Sequence, residues 1–118
     1  MAGDDAHILD MVLACRRVAE AIKGRSLESF LCDWKLQSVV QHQLIILGEA
    51  TKRLSWEFRD RHPQTPWAAI AGQRDILIHR YHGVDLDEVW VVATEKLPPL
   101  LCFLEGITKA DSGSGDES

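Results

Sequence analysis

The five side chains with the greatest capacity for chemistry lie close together in the second half of the chain. They are Arg74, Asp75, His79, Tyr81 and His82, and they interrupt an otherwise apolar helical pattern. An arginine guanidinium binds phosphate or carboxylate oxygens through paired N–H groups, and a histidine exchanges a proton near neutral pH. Proton transfer beside a bound anion is therefore feasible in this stretch.

Helical geometry decides which of these side chains can act together. Arg74 and Tyr81 lie about 20° apart around a helix, whereas His79 lies about 140° from Arg74. Arg74 and His79 can meet at one substrate only if the helix ends near His79 or if a second copy of the chain contributes. Asp75, His79 and His82 form a separate stripe, in which Asp75 could orient the His79 imidazole.

The same residues allow two plainer interpretations. Arg74 could form a salt bridge within a helical bundle, His79 could be a helix-terminal histidine stabilised by the helix dipole, and Tyr81 could be an interface residue. The stripe of Asp75, His79 and His82 could also face a metal ion. No further ligand is evident in the sequence, so we expect neither a metal site nor a cofactor.

The charge distribution permits a nucleic-acid partner without establishing one. The chain has 118 residues, 46% hydrophobic and 26% charged, with a formal charge of −5, which suits a single globular domain. Residues 34–84 carry seven Lys or Arg against four acids, whereas residues 85–118 carry two against eight. A locally basic face can bind RNA although the whole chain is acidic.

Several features favour a cytoplasmic protein with no membrane partner. Cys15, Cys32 and Cys102 are odd in number and far apart, so we interpret them as reduced apolar residues and not as disulfide or zinc ligands. Residues 1–5 do not resemble a signal peptide. The longest apolar run, residues 97–104, contains two prolines and is too short to span a bilayer.

The apolar spacing predicts an all-α fold, an antiparallel bundle of four to five helices with short connections. Gly48 should lie within a long helix where another backbone approaches closely, and its neighbour Glu49 is interpreted as a solvated or capping carboxylate. We place the helical domain at residues 1–108 and a disordered acidic tail at residues 109–118.

Capping signals suggest where each helix begins and ends. The predicted features, in chain order, are a first helix capped by Asp4 or Asp5 and ended by Gly24, a short turn over residues 26–31, a second helix capped by Asp33 and running from Trp34 to Arg61, a third opened by Thr65 and Pro66 and ended by Gly83, and a fourth opened by Asp85 and interrupted at Pro98-Pro99.

The motif Arg74-x4-His79-x-Tyr81 resembles the signature of the HepT-like toxins of the HEPN superfamily. The resemblance covers roughly residues 5–106, and His82 is a departure, since an aromatic residue is expected there. The other stretches that agree with the family are Leu47-Gly48-Glu49-Ala50, Pro66-Trp67, Gly83-Val84-Asp85, Val89-Trp90 and Leu97-Pro98.

The resemblance implies a metal-independent endoribonuclease, the toxin of a type VII toxin–antitoxin pair. It implies a two-fold homodimer with Arg74 and His79 as catalytic residues at the shared cleft. Asp75 is expected to support them because of its helical spacing to His79. The implied partners are RNA and a minimal nucleotidyltransferase antitoxin, which adenylylates Tyr81 and can form a larger assembly with the toxin.

Phosphodiester chemistry agrees with these implied roles. Cleavage requires a base for the 2′-hydroxyl, an acid for the 5′-oxygen and a cation for the phosphorane. Two other classes stay open: a non-catalytic helical module that presents substrate to a nucleotidyltransferase, and a structural dimerisation domain without a ligand.

Overall fold

The computed structural model describes the backbone of residues 2–80 and 83–116 and the side chains of residues 3–80 and 83–108. Every regular element in these ranges is helical, which confirms the predicted all-α fold. The elements are α1 (Ala2–Ile22), α2 (Leu27–Leu31), α3 (Trp34–Lys52), α4 (Trp56–Arg61), α5 (Trp67–His79), α6 (Leu86–Val91), a π-helical segment (Val92–Lys96) and α7 (Leu97–Asp116).

Four principal helices form the bundle: α1, α3, α5 and the continuous run from α6 through the π-helical segment to α7. Helix α1 runs antiparallel to α3, since Asp4 near its start contacts Ser55 just beyond the end of α3. Arg16 of α1 is joined to Glu105 of α7 by an ion pair of 2.6 Å. The most deeply buried side chains are those of Met11, Cys15, Val18, Phe30, Val40, Leu44, Leu47, Thr51 and Leu104.

Local capping explains several of the helix ends, as the sequence predicts, but the predicted end of the third helix at Gly83 is wrong, because α5 ends at His79. Gly24 follows α1 with a φ of 74°, a left-handed conformation that favours glycine. The Asp33 carboxylate accepts hydrogen bonds from the N–H groups of Lys35 and Leu36, both at 3.1 Å. Asp85 caps α6 in the same way. The turn predicted over residues 26–31 is α2, which begins with a capping box at Ser26.

The prediction of one helix from Trp34 to Arg61 is wrong, because α3 ends at Lys52 and the backbone is extended at Ser55. Ser55 has a φ of −66° and a ψ of 154°, and its hydroxyl accepts a hydrogen bond from Phe58 N–H at 3.1 Å. It therefore caps a new helix, α4. The apolar spacing continues through Leu54 and Phe58, which is why the break does not show in the pattern.

The prediction that Asp4 or Asp5 caps the first helix is also wrong, because α1 already begins at Ala2. The Asp4 carboxylate instead accepts hydrogen bonds from Ser55 N–H at 2.8 Å and from the Ser55 hydroxyl at 2.7 Å. Asp4 thus stabilises the start of α4, a helix distant in sequence.

Two other helix boundaries, both next to prolines, differ from the predicted positions. Helix α5 begins at Trp67 with Pro66 at the cap position and no side-chain cap, so Thr65 is not the N-cap that we predicted. The interruption predicted at Pro98-Pro99 is the π-helical segment that ends just before them. It forms because these prolines cannot donate to the carbonyls one turn earlier.

Helix α7 continues past the predicted domain boundary at residue 108, and that division of the chain stays a prediction. In the part of the chain that the structure describes, no helix is long and apolar enough to cross a membrane. Cys15, Cys32 and Cys102 are free thiols.

Candidate functional site

A close crossing of α3 and α5 holds Arg74 in place. A Cβ atom added to Gly48 would overlap the Cβ of Arg74 and lie 3.3 Å from the carbonyl oxygen of Ile70. Only glycine therefore lets the backbone of α5 approach α3 this closely. The close approach predicted at Gly48 is confirmed, and the residue it admits is Arg74.

The Arg74 guanidinium lies between two carboxylates. Its Nη1 donates to Asp75 Oδ1 at 2.9 Å, and its Nη2 donates to Glu49 Oε1 at 3.4 Å. The bond to Asp75, followed by the bond to Glu49, raises the pKa of Arg74 against the opposing effect of burial. Its Nε is buried and makes no hydrogen bond within the described residues. Arg74 thus stays charged and retains unused donor capacity.

Asp75 connects Arg74 to a second cation. Its Oδ1 and Oδ2 accept from Lys52 Nζ at 2.8 and 3.1 Å. The hydrogen bond from Lys52, followed by that from Arg74, lowers the pKa of Asp75. Among the described residues its hydrogen bonds go to these two cations, so the role of Asp75 in orienting His79 stays a prediction.

His79 is the last residue of α5, and its side chain is exposed. The N–H of Arg80 closes the helix by donating to Ile76 O at 2.9 Å. Since the chain is helical from Arg74 to His79, the two side chains project about 140° apart. Within a single chain, Arg74 and His79 therefore do not point to one common position. Tyr81 and His82 lie outside the described residues, so their predicted places relative to Arg74 and Asp75 stay predictions.

The sequence pattern did not predict that Glu49 and Lys52 contact Arg74 and Asp75. Glu49, interpreted from the sequence as a solvated or capping carboxylate, is partly exposed and also forms an ion pair with Arg74. Lys52 was only one of several basic residues in the middle of the chain. Both follow Gly48 on α3, at one and four residues beyond the crossing, and that proximity is the signal that could have found them.

Charges balance within this quartet, which consists of Glu49, Lys52, Arg74 and Asp75. Two cations face two anions, and the side chains are between 29% and 45% exposed. An anionic ligand at Arg74 therefore competes with two carboxylates.

A separate groove of about 1030 Å³ lies between α5 and the run from α6 to α7. Its lining is mainly apolar and includes Leu47, Ile70, Ile76, Leu100 and Phe103, whereas Arg74 and His79 are not part of it.

No group of three potential metal ligands occurs among the described side chains. The alternative of Asp75, His79 and His82 as ligands includes a residue outside that range and stays open.

Comparison with known proteins supplies the family. A family model described as "Ribonuclease HepT-like" matches residues 11–107, which include the motif from Arg74 to Tyr81. The chain belongs to the HepT-like ribonuclease family. This confirms the resemblance noted in the sequence.

Relatives of this HepT-like chain are known from bacteria and archaea. "Putative RNase TTE0752" of Caldanaerobacter subterraneus subsp. tengcongensis is 42% identical over 94 residues, 80% of this chain and 81% of the relative. "Probable ribonuclease HepT" of Thermococcus cleftensis is 37% identical over 103 residues, 87% of this chain and 94% of the relative. No solved structure matches the chain significantly.

Proposed function

We propose that this HepT-like chain is a metal-independent endoribonuclease, the toxin of a toxin–antitoxin pair that acts in the cytoplasm. The observation that carries the proposal is the placement of its motif. Arg74 is held against α3 at the Gly48 crossing, and His79 is exposed at the end of the same helix. The names of the relatives support RNA as the substrate.

The reaction needs two proton transfers and one stabilised anion. One His79 removes the proton from a 2′-hydroxyl, whose oxygen attacks the adjacent phosphorus. The bond between phosphorus and the 5′-oxygen breaks, and a second histidine protonates that oxygen. Arg74 stabilises the charge on the phosphorane. The products are a 2′,3′-cyclic phosphate and a 5′-hydroxyl end.

A two-fold homodimer supplies the second histidine. One chain contributes only one motif histidine, and it points about 140° away from Arg74 of the same chain. A symmetric pair places each element of one motif opposite the same elements of the other. The proposed active site is thus composite, with His79 of one copy acting beside Arg74 of the other.

Silencing in this proposal occurs at Tyr81. A minimal nucleotidyltransferase antitoxin transfers AMP from ATP to the tyrosine oxygen and releases pyrophosphate. The new phosphodiester brings a negative charge and a bulky nucleoside next to the motif. It competes with RNA phosphate for Arg74 and blocks the cleft.

The test is RNA cleavage by the purified chain in EDTA. We expect His79→Ala and Arg74→Ala to lower the cleavage rate by about 10²-fold or more, the usual contribution of an acid–base or electrostatic group. Arg16→Ala is the matched control, since it removes an exposed, ion-paired arginine from α1. Wild-type rates in both motif variants would show that the catalytic assignment is wrong.

The second candidate is a non-catalytic module that presents substrate to a nucleotidyltransferase. The pairing of Arg74 with Asp75 and Glu49 favours it, because a neutralised arginine is a weak phosphate ligand. This candidate predicts an isolated chain that leaves RNA intact yet accepts AMP from the partner enzyme.

A further inference from the structure

Two cations from different helices converge on a single oxygen atom. Lys52 Nζ, at the end of α3, lies 2.8 Å from Asp75 Oδ1. Arg74 Nη1, on α5, lies 2.9 Å from the same atom. A carboxylate oxygen between an ammonium and a guanidinium has the surroundings of a phosphate oxygen in a nucleic-acid complex.

We propose that Lys52 is a substrate-positioning residue, which forms with Arg74 a two-cation site for one RNA phosphate. In the free chain Asp75 occupies this site. The inference rests on the proposed ribonuclease function and adds to it a residue outside the motif, on a different helix.

Exchange of Asp75 for phosphate is energetically feasible because the ion pairs are not deeply buried. The Lys52 and Asp75 side chains are 40% and 45% exposed, and ion pairs at such sites contribute little to stability. An RNA phosphate brings the same charge as the carboxylate, and its binding releases counterions into solution. Neither helix has to move, since rotation of the Asp75 side chain vacates the position.

The close helix crossing makes this a preformed site. Gly48 fixes the separation of α3 from α5, and Lys52 follows it by one helical turn. The spacing between the two cations is therefore set by backbone packing and not by loop conformation. Arg74 keeps a weaker 3.4 Å contact with Glu49, which holds the guanidinium in place when Asp75 leaves.

The experiment measures binding of a single-stranded RNA oligonucleotide at several salt concentrations. The parent protein carries His79→Ala, so that the RNA is not cleaved during the measurement. Loss of one phosphate contact should lower the slope of log affinity against log salt by about 0.7, which is about five-fold in affinity at about 0.1 M salt. We expect this loss in Lys52→Gln and its recovery in Lys52→Arg.

Asp75→Asn provides the decisive second variant. If Asp75 competes with RNA, its removal increases affinity by up to about five-fold, the value of one contact. If the ion pair is merely structural, Lys52→Gln and Asp75→Asn lose affinity together. Opposite signs support the two-cation site, and equal signs overturn it.

Lys35→Gln is the matched control, because Lys35 is exposed at the opposite end of α3, over the ring of Trp34. An unchanged slope in Lys52→Gln, in a parent that does bind RNA, overturns this inference alone. A parent that binds no RNA overturns the proposed function as well.

Discussion

Two carboxylates, Asp4 and Asp75, show how differently one chain uses the same functional group. Asp4 is 5% exposed and accepts two hydrogen bonds from Ser55, with no cation among these partners. Asp75 is half-exposed and lies between the cations Lys52 and Arg74. The first carboxylate satisfies a helix start within the fold, whereas the second holds cations at the surface and can be exchanged for a ligand.

Burial, and not charge, distinguishes Asp4 at the start of α4 from Asp75 at the surface. Removing a buried acceptor leaves its donors without a hydrogen bond, and water cannot reach them. At the surface, water and salt replace a lost ion pair. Stability should therefore depend on Asp4 and ligand binding on Asp75.

The largest effect on stability is expected for Asp4→Ala. The N–H and hydroxyl of Ser55 both lose their acceptor, and hydrogen bonds to a charged group contribute about 1.5–3 kcal/mol each. We expect a loss of about 3 kcal/mol in the free energy of unfolding, measured by urea denaturation. Asp5→Ala, at an exposed neighbouring position, is the control and should change little. Equal stability of the two variants would show that the Asp4 carboxylate does not stabilise the fold.

Gly48→Ala should come next, because it disturbs the charged cluster without removing a charge. The added methyl group overlaps Arg74, and overpacking of this kind costs about 1–3 kcal/mol. Gly72→Ala on α5 is the matched control. It meets no atom within 4 Å, so it should stabilise the protein by up to about 1 kcal/mol through helix propensity. Denaturation of both variants should give shifts of opposite sign, and shifts of the same sign would contradict the crossing geometry.

The acid dependence of stability should also distinguish the two carboxylates. Burial raises the pKa of Asp4, but the hydrogen bonds from the Ser55 N–H and hydroxyl outweigh it, and the pKa is lowered on balance from 3.8. A lowered pKa in the folded state gives stability that is present above pH 3.8 and is lost as the pH falls through the folded value. Asp4→Asn should flatten this part of the stability curve.

Denaturation between pH 7 and pH 2.5 measures the effect. Asp75→Asn should flatten the curve less, because Asp75 is exposed to water and salt, although Lys52 and Arg74 lower its pKa too. A greater flattening by Asp75→Asn than by Asp4→Asn would show that stability depends more on Asp75 than on Asp4.

The smallest effect is expected for Lys52→Gln on stability. Its ion pair with Asp75 is exposed, so the midpoint of urea denaturation should stay at the wild-type value. Glu105→Gln, which breaks the exposed pair with Arg16, should behave alike. A clear loss of stability in Lys52→Gln alone would make Lys52 a structural residue.

Much of the bundle could be predicted from local patterns. The apolar period predicts the helices, and Gly24, Asp33 and Asp85 mark ends that the structure confirms. These signals act between residues within one turn, so the sequence displays them directly. The break at Ser55 could not be predicted in this way, since its cap depends in part on Asp4, 51 positions earlier.

The candidate site also combines features that local sequence predicts with features that depend on tertiary contacts. The sequence alone predicts that Arg74 and His79 lie on one helix and face apart, and that another backbone meets Gly48, and α5 and the Gly48 crossing agree with these predictions. The position of Arg74 between Glu49 and Asp75 depends on tertiary packing. The same packing brings Lys52 to the Asp75 oxygen that Arg74 also contacts. Lys52 and Asp75 are 23 positions apart, and their contact depends on where α3 and α5 cross. Periodicity determines which face a residue occupies, whereas the packing of two helices determines what that face meets.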